Sequence, residues 1–423
     1  MLSGYVSNPI GMGEGEGVEW GQESEDEGGT TGSGCSLEEA IVRAARSRIL
    51  NGLLHREQTG RSVSVIARKN VDTIQSRPEA LVAVAANWRE PDHPPREEAV
   101  AETVEASNRW TEEALDYALN RWMQRLTLEA LTDWLGDIEP DAPTPVGVLH
   151  GSADPLEGLR DAVAVWASGH TYLGHPPDAS PALLPTFTRE LKEHHEEQDI
   201  EFVDEEALFD RATAVMAQPD RGNVDTLQQQ CDSHGIPQKR RLVRPTRLAI
   251  AVLDGHENDD ARGGIAEDLL LYEGGGHRRL ALVWAPTDLS PDSYLEAMAR
   301  FRGVFPVHED TPGALQMQKA FLEARDEPRA YAEGLEFLVS RGAPEFPQPD
   351  GHIRWTEYEN LDEVDEWIED HQDALYAVVA RGALHDQFPR SWPLRTPGGL
   401  HIPPINDEEG AAIAAFVQGL GEN

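Results

Sequence analysis

A glycine-rich turn, Glu273–His277, is the place in this sequence where side-chain chemistry is easiest to imagine. It joins a helix-like segment to a strand-like segment, and its three consecutive glycines would let a ligand or another stretch of backbone approach closely. The histidine that follows them, His277, could serve as a base or as a nucleophile. Glycine-rich connections are also ordinary tight turns, so the residue types alone leave both interpretations open.

Two other stretches combine histidine with acidic residues, but their spacing does not suit a metal. His194 and His195 are adjacent in a polar helical segment, whereas ligands on one helix face stand three or four residues apart. His256–Asp260 offers oxygen atoms without the glycine-containing loop of an EF-hand. The sequence also has no G-x-S-x-G motif for a serine nucleophile. We therefore expect no metal site, and interpret these stretches as a solvated helix and a loop.

The charge of the chain is strongly one-sided. It has 423 residues with 76 acidic and 36 basic side chains, a formal net charge of −40, and only four of the basic residues are lysines. Such a surface repels nucleic acid and anionic lipid, which both select clustered Lys and Arg. An acid-rich, lysine-poor composition resembles that of halophilic cytosolic proteins. We interpret the acids as solvating the surface, and expect a cytoplasmic protein whose folding depends on salt.

Cysteine usage and hydropathy are also consistent with the expectation of a cytoplasmic protein. Cys35 and Cys231 are too few for a disulfide framework or a cysteine zinc site. No apolar run approaches the ~18 residues that a membrane span requires. Residues 1–34 are rich in Gly, Glu and Ser and lack the basic and apolar regions of a signal peptide, so we expect a disordered acidic tail.

Further along, the pattern changes from helical to alternating. Residues 77–135 have apolar positions at helical spacing, interrupted by the proline-rich stretch Glu90–Arg96. From Val146 onward, short apolar runs alternate with helix-like segments, which predicts an α/β fold. The predicted strands are Val146–His150, Thr171–Gly174, Ile200–Val203, Leu248–Leu253, Leu280–Trp284 and Leu335–Ser340. The predicted helices are Leu156–Ser168, Pro181–Glu197, Glu205–Ala217, Ile265–Tyr272, Ser293–Arg300, Gly313–Ala324 and Leu361–His371.

A series of short motifs, taken in order, carries more information than any one of them. In chain order they are Asn108–Glu113, Leu131–Leu135, Pro145–Leu156, Ser168–His170, Leu183–Pro185, Arg244–Glu257, Ile265–His277 and Gly398–Pro404. Together they resemble the acyl-CoA reductases of the aldehyde dehydrogenase superfamily, including the fatty-acid reductase of bacterial bioluminescence. The resemblance covers about residues 105–415.

The resemblance implies an aldehyde dehydrogenase-like fold, with a Rossmann-like cofactor domain and a second α/β domain that carries the nucleophile. It places the cofactor domain, with its N-terminal helical region, at 35–275, the catalytic-type domain at 276–385 and a C-terminal return at 386–423. The implied reaction reduces an acyl thioester to an aldehyde with NADPH, while a thiolate holds the acyl group for hydride transfer. A homodimer is expected by analogy.

The sequence departs from the family pattern at the positions that would do the chemistry. His277 stands where the resemblance places the nucleophilic cysteine, and Ala153 stands where an asparagine would stabilise the oxyanion. Cys231 lies in a helical stretch away from the glycine turn and is a poor substitute. By the same resemblance, the cofactor-binding positions are Pro155, His175 in place of a lysine, Gly222 and Thr226.

Two hypotheses remain open from the sequence. The first is a divergent, impaired acyl-CoA reductase that uses His277. The second is a non-catalytic binding or regulatory protein that keeps the fold and still binds a nucleotide or an acyl-CoA. Tight binding of NADPH without turnover would distinguish them.

Overall fold

The structure, a computed structural model, describes residues 76–106, 109–136, 140, 142–195, 200–219, 221–325, 329–331, 335–347, 349–389 and 392–421. These residues belong to one compact unit, Thr73–Asn423. The predicted acidic tail 1–34 and Asn108 of the first motif lie outside the described residues.

Among the described residues, four helices precede the first strand, in the region 77–135 that the periodicity predicts to be helical. They are α1 (Arg77–Asn87), α2 (Pro94–Ala106), α3 (Glu112–Arg125) and α4 (Leu128–Leu135). Ser76 begins α1 with a capping box that includes Glu79, which pairs two otherwise unsatisfied backbone N–H groups. Thr111 and Thr127 cap α3 and α4 in the same way through their hydroxyl oxygens. The tryptophans of this region are core residues.

The first sheet is parallel, with strand order β3-β2-β1-β4-β5. Its strands are β1 (Pro145–Leu149), β2 (Thr171–His175), β3 (Ile200–Phe202), β4 (Ala214–Ala217) and β5 (Arg241–Val243). The helices that follow its strands are α5 (Leu159–Ala167), α6 (Leu183–His194), α7 (Glu205–Arg211) and α8 (Val224–Ser233). Strand β1 pairs with β2 on one side and β4 on the other, so the winding direction of the sheet reverses between β1 and β4.

The predicted helix Glu205–Ala217 is wrong in its second half. Helix α7 ends at Arg211, and Ala214–Ala217 is the fully buried strand β4. A short apolar run cannot be assigned to helix or strand from periodicity alone, because both can be buried on all sides. Here pairing with β1 decides for the strand.

The second sheet has strand order β12-β11-β6-β7-β10-β9-β8, and only its edge strand β8 is antiparallel to its neighbour. Its strands are β6 (Leu248–Val252), β7 (Leu280–Pro286), β8 (Arg329–Tyr331), β9 (Leu338–Arg341), β10 (His352–Tyr358), β11 (Leu375–Ala380) and β12 (Leu394–Arg395). Its helices are α9 (Asp259–Leu270), α10 (Asp292–Arg302), α11 (Thr311–Ala324) and α12 (Leu361–His371). The chain thus enters this sheet between Val243 and Leu248, ahead of the boundary that the sequence analysis placed at 275/276.

The last helix, α13 (Glu408–Leu420), returns to the helices of the first half of the chain. The indole N–H of Trp134 donates to the carbonyl of Gly410 over 2.7 Å. The imidazole Nε2 of His170 lies 3.0 Å from the carbonyl oxygen of Val417. Asp407 caps the helix by accepting from the N–H of Gly410. These contacts bring the first turn of α13 beside the loop that carries His277.

Candidate functional site

His277 lies in the loop that leads into β7, at the amino ends of β6 and β7. The N–H of Arg278 donates to the carbonyl of Arg247, which immediately precedes β6. Arg278 has a φ of 72°, a left-handed backbone conformation that costs energy for a residue with a side chain. Its side chain and that of His277 are nearly fully buried, with His277 only 1% exposed. The predicted nucleophile position is therefore inside the molecule.

Both ring nitrogens of His277 are engaged. Its Nδ1 accepts a hydrogen bond from the backbone N–H of Arg247 over 3.2 Å. An imidazole nitrogen that accepts carries no proton, so the proton of the neutral ring is on Nε2. Nε2 donates it to Oε1 of Glu409 over 2.7 Å. Burial lowers the pKa of His277 to about 4, against the opposing effect of Glu409, and the ring is neutral at pH 7.

The carboxylate of Glu409, in the first turn of α13, is the centre of a buried ionic cluster. Its Oε2 accepts from Arg278 Nη2 over 2.7 Å and from Arg160 Nη2 over 2.5 Å. Arg247 Nη2 lies 3.9 Å from Oε1. Burial alone would raise the pKa of Glu409, but Arg278, His277 and Arg160 together hold it well below its usual range. The carboxylate is ionised at pH 7.

A second carboxylate, Asp407, extends the cluster. It accepts from Arg160 Nη1 over 2.6 Å and from the hydroxyl of Tyr376 over 2.8 Å. Burial opposes the shift, but the charge of Arg160 and the hydrogen bonds from Gly410 N–H, Tyr376 and Arg160 together lower its pKa. Arg278 also packs against the ring of Tyr376, with 5.3 Å between the guanidinium carbon and the ring centroid. Arg160 therefore joins both carboxylates in one network.

Ala153 lies in the loop after β1, and the structure brings this loop against the loop of His277. A side chain on Gly276 would stand 2.5 Å from Asp154 Oδ1 and 3.1 Å from the carbonyl oxygen of Ala153, so only glycine fits there. The N–H of Ala153 donates to Oε2 of Glu157 over 2.8 Å. This backbone donor is consequently already paired, and the methyl side chain adds none.

A crevice opens at the carboxyl ends of β1 and β4, where the winding of the first sheet reverses. In open α/β sheets this is the position at which ligands bind. The cavity measures about 290 Å³. It is lined by Arg109, Leu149, His150, Gly151, Ser152, Ala153, Glu157, Ala217, Gln218, Pro219 and Leu227.

The predicted cofactor residues surround this crevice, but its described lining does not include them. His175 is the last residue of β2, with Nδ1 3.1 Å from the carbonyl oxygen of Val203. Pro155 is buried in the loop between β1 and α5, and Gly222 and Thr226 are exposed near the start of α8. Sequence reasoning missed most of the lining residues, and the signal that could have found them is their position directly after β1 and β4.

Solved structures with the same arrangement of two sheets are aldehyde dehydrogenases. The chain superposes on methylmalonate-semialdehyde dehydrogenase from Oceanimonas doudoroffii with a TM-score of 0.59 at 12% identity, covering 86% of this chain and 83% of that one. For an NAD-dependent benzaldehyde dehydrogenase from Corynebacterium glutamicum the TM-score is 0.56 at 14% identity, with 84% and 85% covered. The fold is that of the aldehyde dehydrogenases.

The predicted α/β class and the aldehyde dehydrogenase-like fold are thereby confirmed. An aldehyde dehydrogenase from Brucella melitensis biovar abortus 2308 matches with a TM-score of 0.54 at 11% identity, over 85% of this chain and 81% of that one. Neither a protein-family sequence profile nor a curated protein sequence matches the chain. At such low identity, the likeness concerns the aldehyde dehydrogenase fold and leaves the chemistry to the residues themselves.

The described residues contain neither a membrane-spanning helix nor a metal-binding cluster. Every helix in this part of the chain is too short or too polar to cross a lipid bilayer. Among the same residues, no three His, Cys, Asp or Glu side chains are grouped so that they could hold a metal ion.

Proposed function

We propose that this chain is a binding protein on the aldehyde dehydrogenase fold, which takes up a nicotinamide nucleotide and does not perform thiolate-type reduction of an acyl thioester. The observation that carries the proposal is the engagement of both nitrogens of the buried His277. A neutral imidazole has one lone pair for attack on a carbonyl, and the Nδ1 lone pair of His277 already accepts from Arg247 N–H.

The second requirement of the family reaction is also unsupported by the residues present. An oxyanion needs N–H donors that point at it before the reaction begins, and losing one donor typically costs ~10²–10³ in rate. Ala153 has no side-chain donor, and its backbone N–H is bound to Glu157. His277 and Ala153 therefore act here as structural residues of two adjoining loops.

The crevice at the carboxyl ends of β1 and β4 has side chains that suit the binding of a nucleotide. Leu149 and Leu227 provide apolar surface for a base, and Ser152 provides a hydroxyl group. Arg109 is the basic side chain of the lining. In this class of fold, a nicotinamide nucleotide supplies or accepts a hydride when bound. The residues of this chain would hold and orient the nucleotide, and the resemblance favours NADPH.

The rival function is that of a divergent acyl-CoA reductase that uses His277. It is favoured by the close packing of Gly276 against Asp154 and Ala153, which preserves the proximity of the two loops that the family reaction needs. In that case the acyl group would be held by the imidazole, and the substrate would be an acyl-CoA.

Binding and turnover separate the two functions. We expect calorimetry with NADPH and NADH in molar KCl to show saturable binding, and absorbance at the nicotinamide band to show no oxidation in the presence of acyl-CoA. Robust acyl-CoA reduction that His277→Ala abolishes would establish the rival function. The absence of binding by either nucleotide would refute the nucleotide site.

Restoration of the missing groups gives a complementary test. We expect His277→Cys or Ala153→Asn alone to restore little acyl-CoA reduction. The double variant should restore more than the sum of the two, because nucleophile and oxyanion donor act as a unit. An additive result would mean that these two positions do not form one site.

The setting of this function follows from composition and resemblance. We propose that the protein works in a salt-rich cytoplasm and that it forms a homodimer. Gel filtration with light scattering in molar KCl tests the last point. A monomer at micromolar concentration would contradict it.

A further inference from the structure

The carboxylate of Glu409 is buried and surrounded by donors, as the carboxylate of a bound ligand would be. It is about 4% exposed, and three side chains from other parts of the chain point donors at its two oxygens. Arg160 comes from α5, and His277 and Arg278 come from the loop before β7. Carboxylates bound by two guanidinium groups form some of the strongest hydrogen bonds in proteins.

We propose that Arg160, Arg278 and His277 form a carboxylate-binding site, that the chain fills this site with its own Glu409, and that a small free carboxylate takes the place when the Glu409 side chain is absent. The last helix of the fold is then an intramolecular ligand of the loop that carries His277. The proposal concerns this cluster alone and does not depend on a nucleotide in the crevice.

The geometry selects a planar monoanion. Oε2 accepts from two guanidinium groups and Oε1 accepts from the His277 ring, so both oxygens are used and no third is needed. The charge also matches a single anion. Arg160 and Arg278 bring two positive charges, and Asp407 offsets one of them. His277 is neutral, and burial raises the pKa of Asp154 well above its usual range, so one positive charge is left for one anion. A phosphate dianion would bring one oxygen and one charge too many into a buried place.

A free carboxylate also needs enough space to occupy this site. Glu409→Gly removes a carboxylate and two methylene groups, and the volume that they leave is larger than a formate ion. Without an anion, two buried guanidinium groups lose a shared partner, which is strongly unfavourable. Formate that enters binds only the folded state and therefore stabilises it by mass action.

The experiment compares Glu409→Gly with Glu408→Gly. Glu408 is the exposed neighbour in the same first helical turn, so both variants carry the same glycine penalty. Urea unfolding is followed at a fixed molar sodium concentration, with sodium formate replacing sodium chloride stepwise. For a formate Kd on the order of 10 mM, 1 M formate raises the folding equilibrium constant of Glu409→Gly about 100-fold. Glu408→Gly and the native chain change only by the small, non-saturating effect of the salt.

Formamide, which is neutral and of similar shape, is the chemical control and is expected to give no such rise. An equal response of both glycine variants to formate, or an equal response of Glu409→Gly to formamide, would overturn the proposal. If Glu409→Gly does not fold in chloride, it is refolded from urea into formate or chloride. Recovery in formate alone supports the site, and recovery in neither refutes it.

Discussion

The buried carboxylate of Asp268 accepts hydrogen bonds from the backbone N–H groups of Gly398 and Leu400, over 2.8 and 2.9 Å. Asp268 belongs to α9, and the closing segment that contains Gly398 and Gly399 folds over it with φ angles of 87° and 92°. A side chain on Gly264, one turn earlier in α9, would stand 2.7 Å from the carbonyl carbon of Pro397. The aspartate of one sequence motif thus binds the glycine-containing segment of another motif, 130 residues later in the chain.

Replacing Asp268 with alanine should destabilise the protein severely. The backbone N–H groups of the 398–400 segment would be left buried without acceptors, and each costs about 1–3 kcal/mol. We expect a loss of about 3 kcal/mol in urea unfolding at molar KCl. The exposed Asp260→Ala on the same helix should change stability by less than about 0.5 kcal/mol. Equal effects of the two variants would show that the contact is not stabilising.

The sequence predicts some strands of the two sheets much better than others. Apolar runs bounded by turns predicted β1, β2, β6 and β7 almost to the residue, because central strands of parallel sheets are buried on both faces. Helix α12 was predicted with its observed bounds, Leu361–His371. Strands β10 and β11 were missed. Strand β10 contains the buried polar residues His352, Arg354 and Thr356. His352 and Arg354 hydrogen-bond to Ser340 of β9, and Thr356 donates to the carbonyl of Gly342.

The site was less accessible, because its essential partners are far apart in sequence. His277 was singled out from its glycine turn, but Glu409 is 132 residues later in a chain with 76 acidic residues. In such a chain the ordinary interpretation of any single acid is surface solvation, and it fails for Asp268 and Glu409, which are buried. Only packing in three dimensions distinguishes these acids from the rest.

Acid should destabilise the protein through three buried histidines. Burial lowers the pKa values of His150, His277 and His401 to about 4. The unfolded chain binds these protons near pH 6.5, so their contribution to stability is complete above pH 6.5 and is lost as the pH falls from about 6.5 to 4. We expect the unfolding free energy to fall by up to about 4 kcal/mol per pH unit in that window.

Urea unfolding at constant molar salt between pH 7.5 and 4.5 checks this slope. His277→Gln should reduce it by about one third, since one of the three protons is removed. Burial raises the pKa values of Asp154 and Asp268, which opposes the histidine contribution in the native chain and in the variant alike. An equal slope for the native chain and His277→Gln would contradict the neutral, buried state of the His277 ring.

Salt should stabilise the fold over a wide range. A net charge of −40 repels itself over distances that shrink from about 10 Å at 0.1 M to about 3 Å at 1 M ionic strength. Thermal unfolding followed by circular dichroism should therefore shift upward by ten degrees or more between about 0.1 and 2 M KCl. The same melting temperature at both concentrations would refute the halophilic interpretation.

Neutralising Glu157 should strengthen nucleotide binding. Its carboxylate borders the crevice and lies against Gly151, where an added side chain would stand 2.3 Å from it. One negative charge at ~8 Å from a phosphate costs about 2 kcal/mol at an effective dielectric constant near 20, before salt screening. Glu157→Gln should lower the Kd for NADPH roughly tenfold, while the exposed Glu206→Gln leaves it unchanged. A lower affinity of Glu157→Gln would mean that Glu157 orients the ligand instead.

The place of Glu409 near the end of the described chain also sets an order of events during synthesis. Arg160 and Arg278 leave the ribosome 249 and 131 residues before the carboxylate that they share. Until position 409 has been translated, two guanidinium groups that are buried in the finished protein must stay in water, because burial without an anion is too costly. We therefore expect the buried cluster of Arg160, Arg278 and Glu409 to close only after α13 has left the exit tunnel.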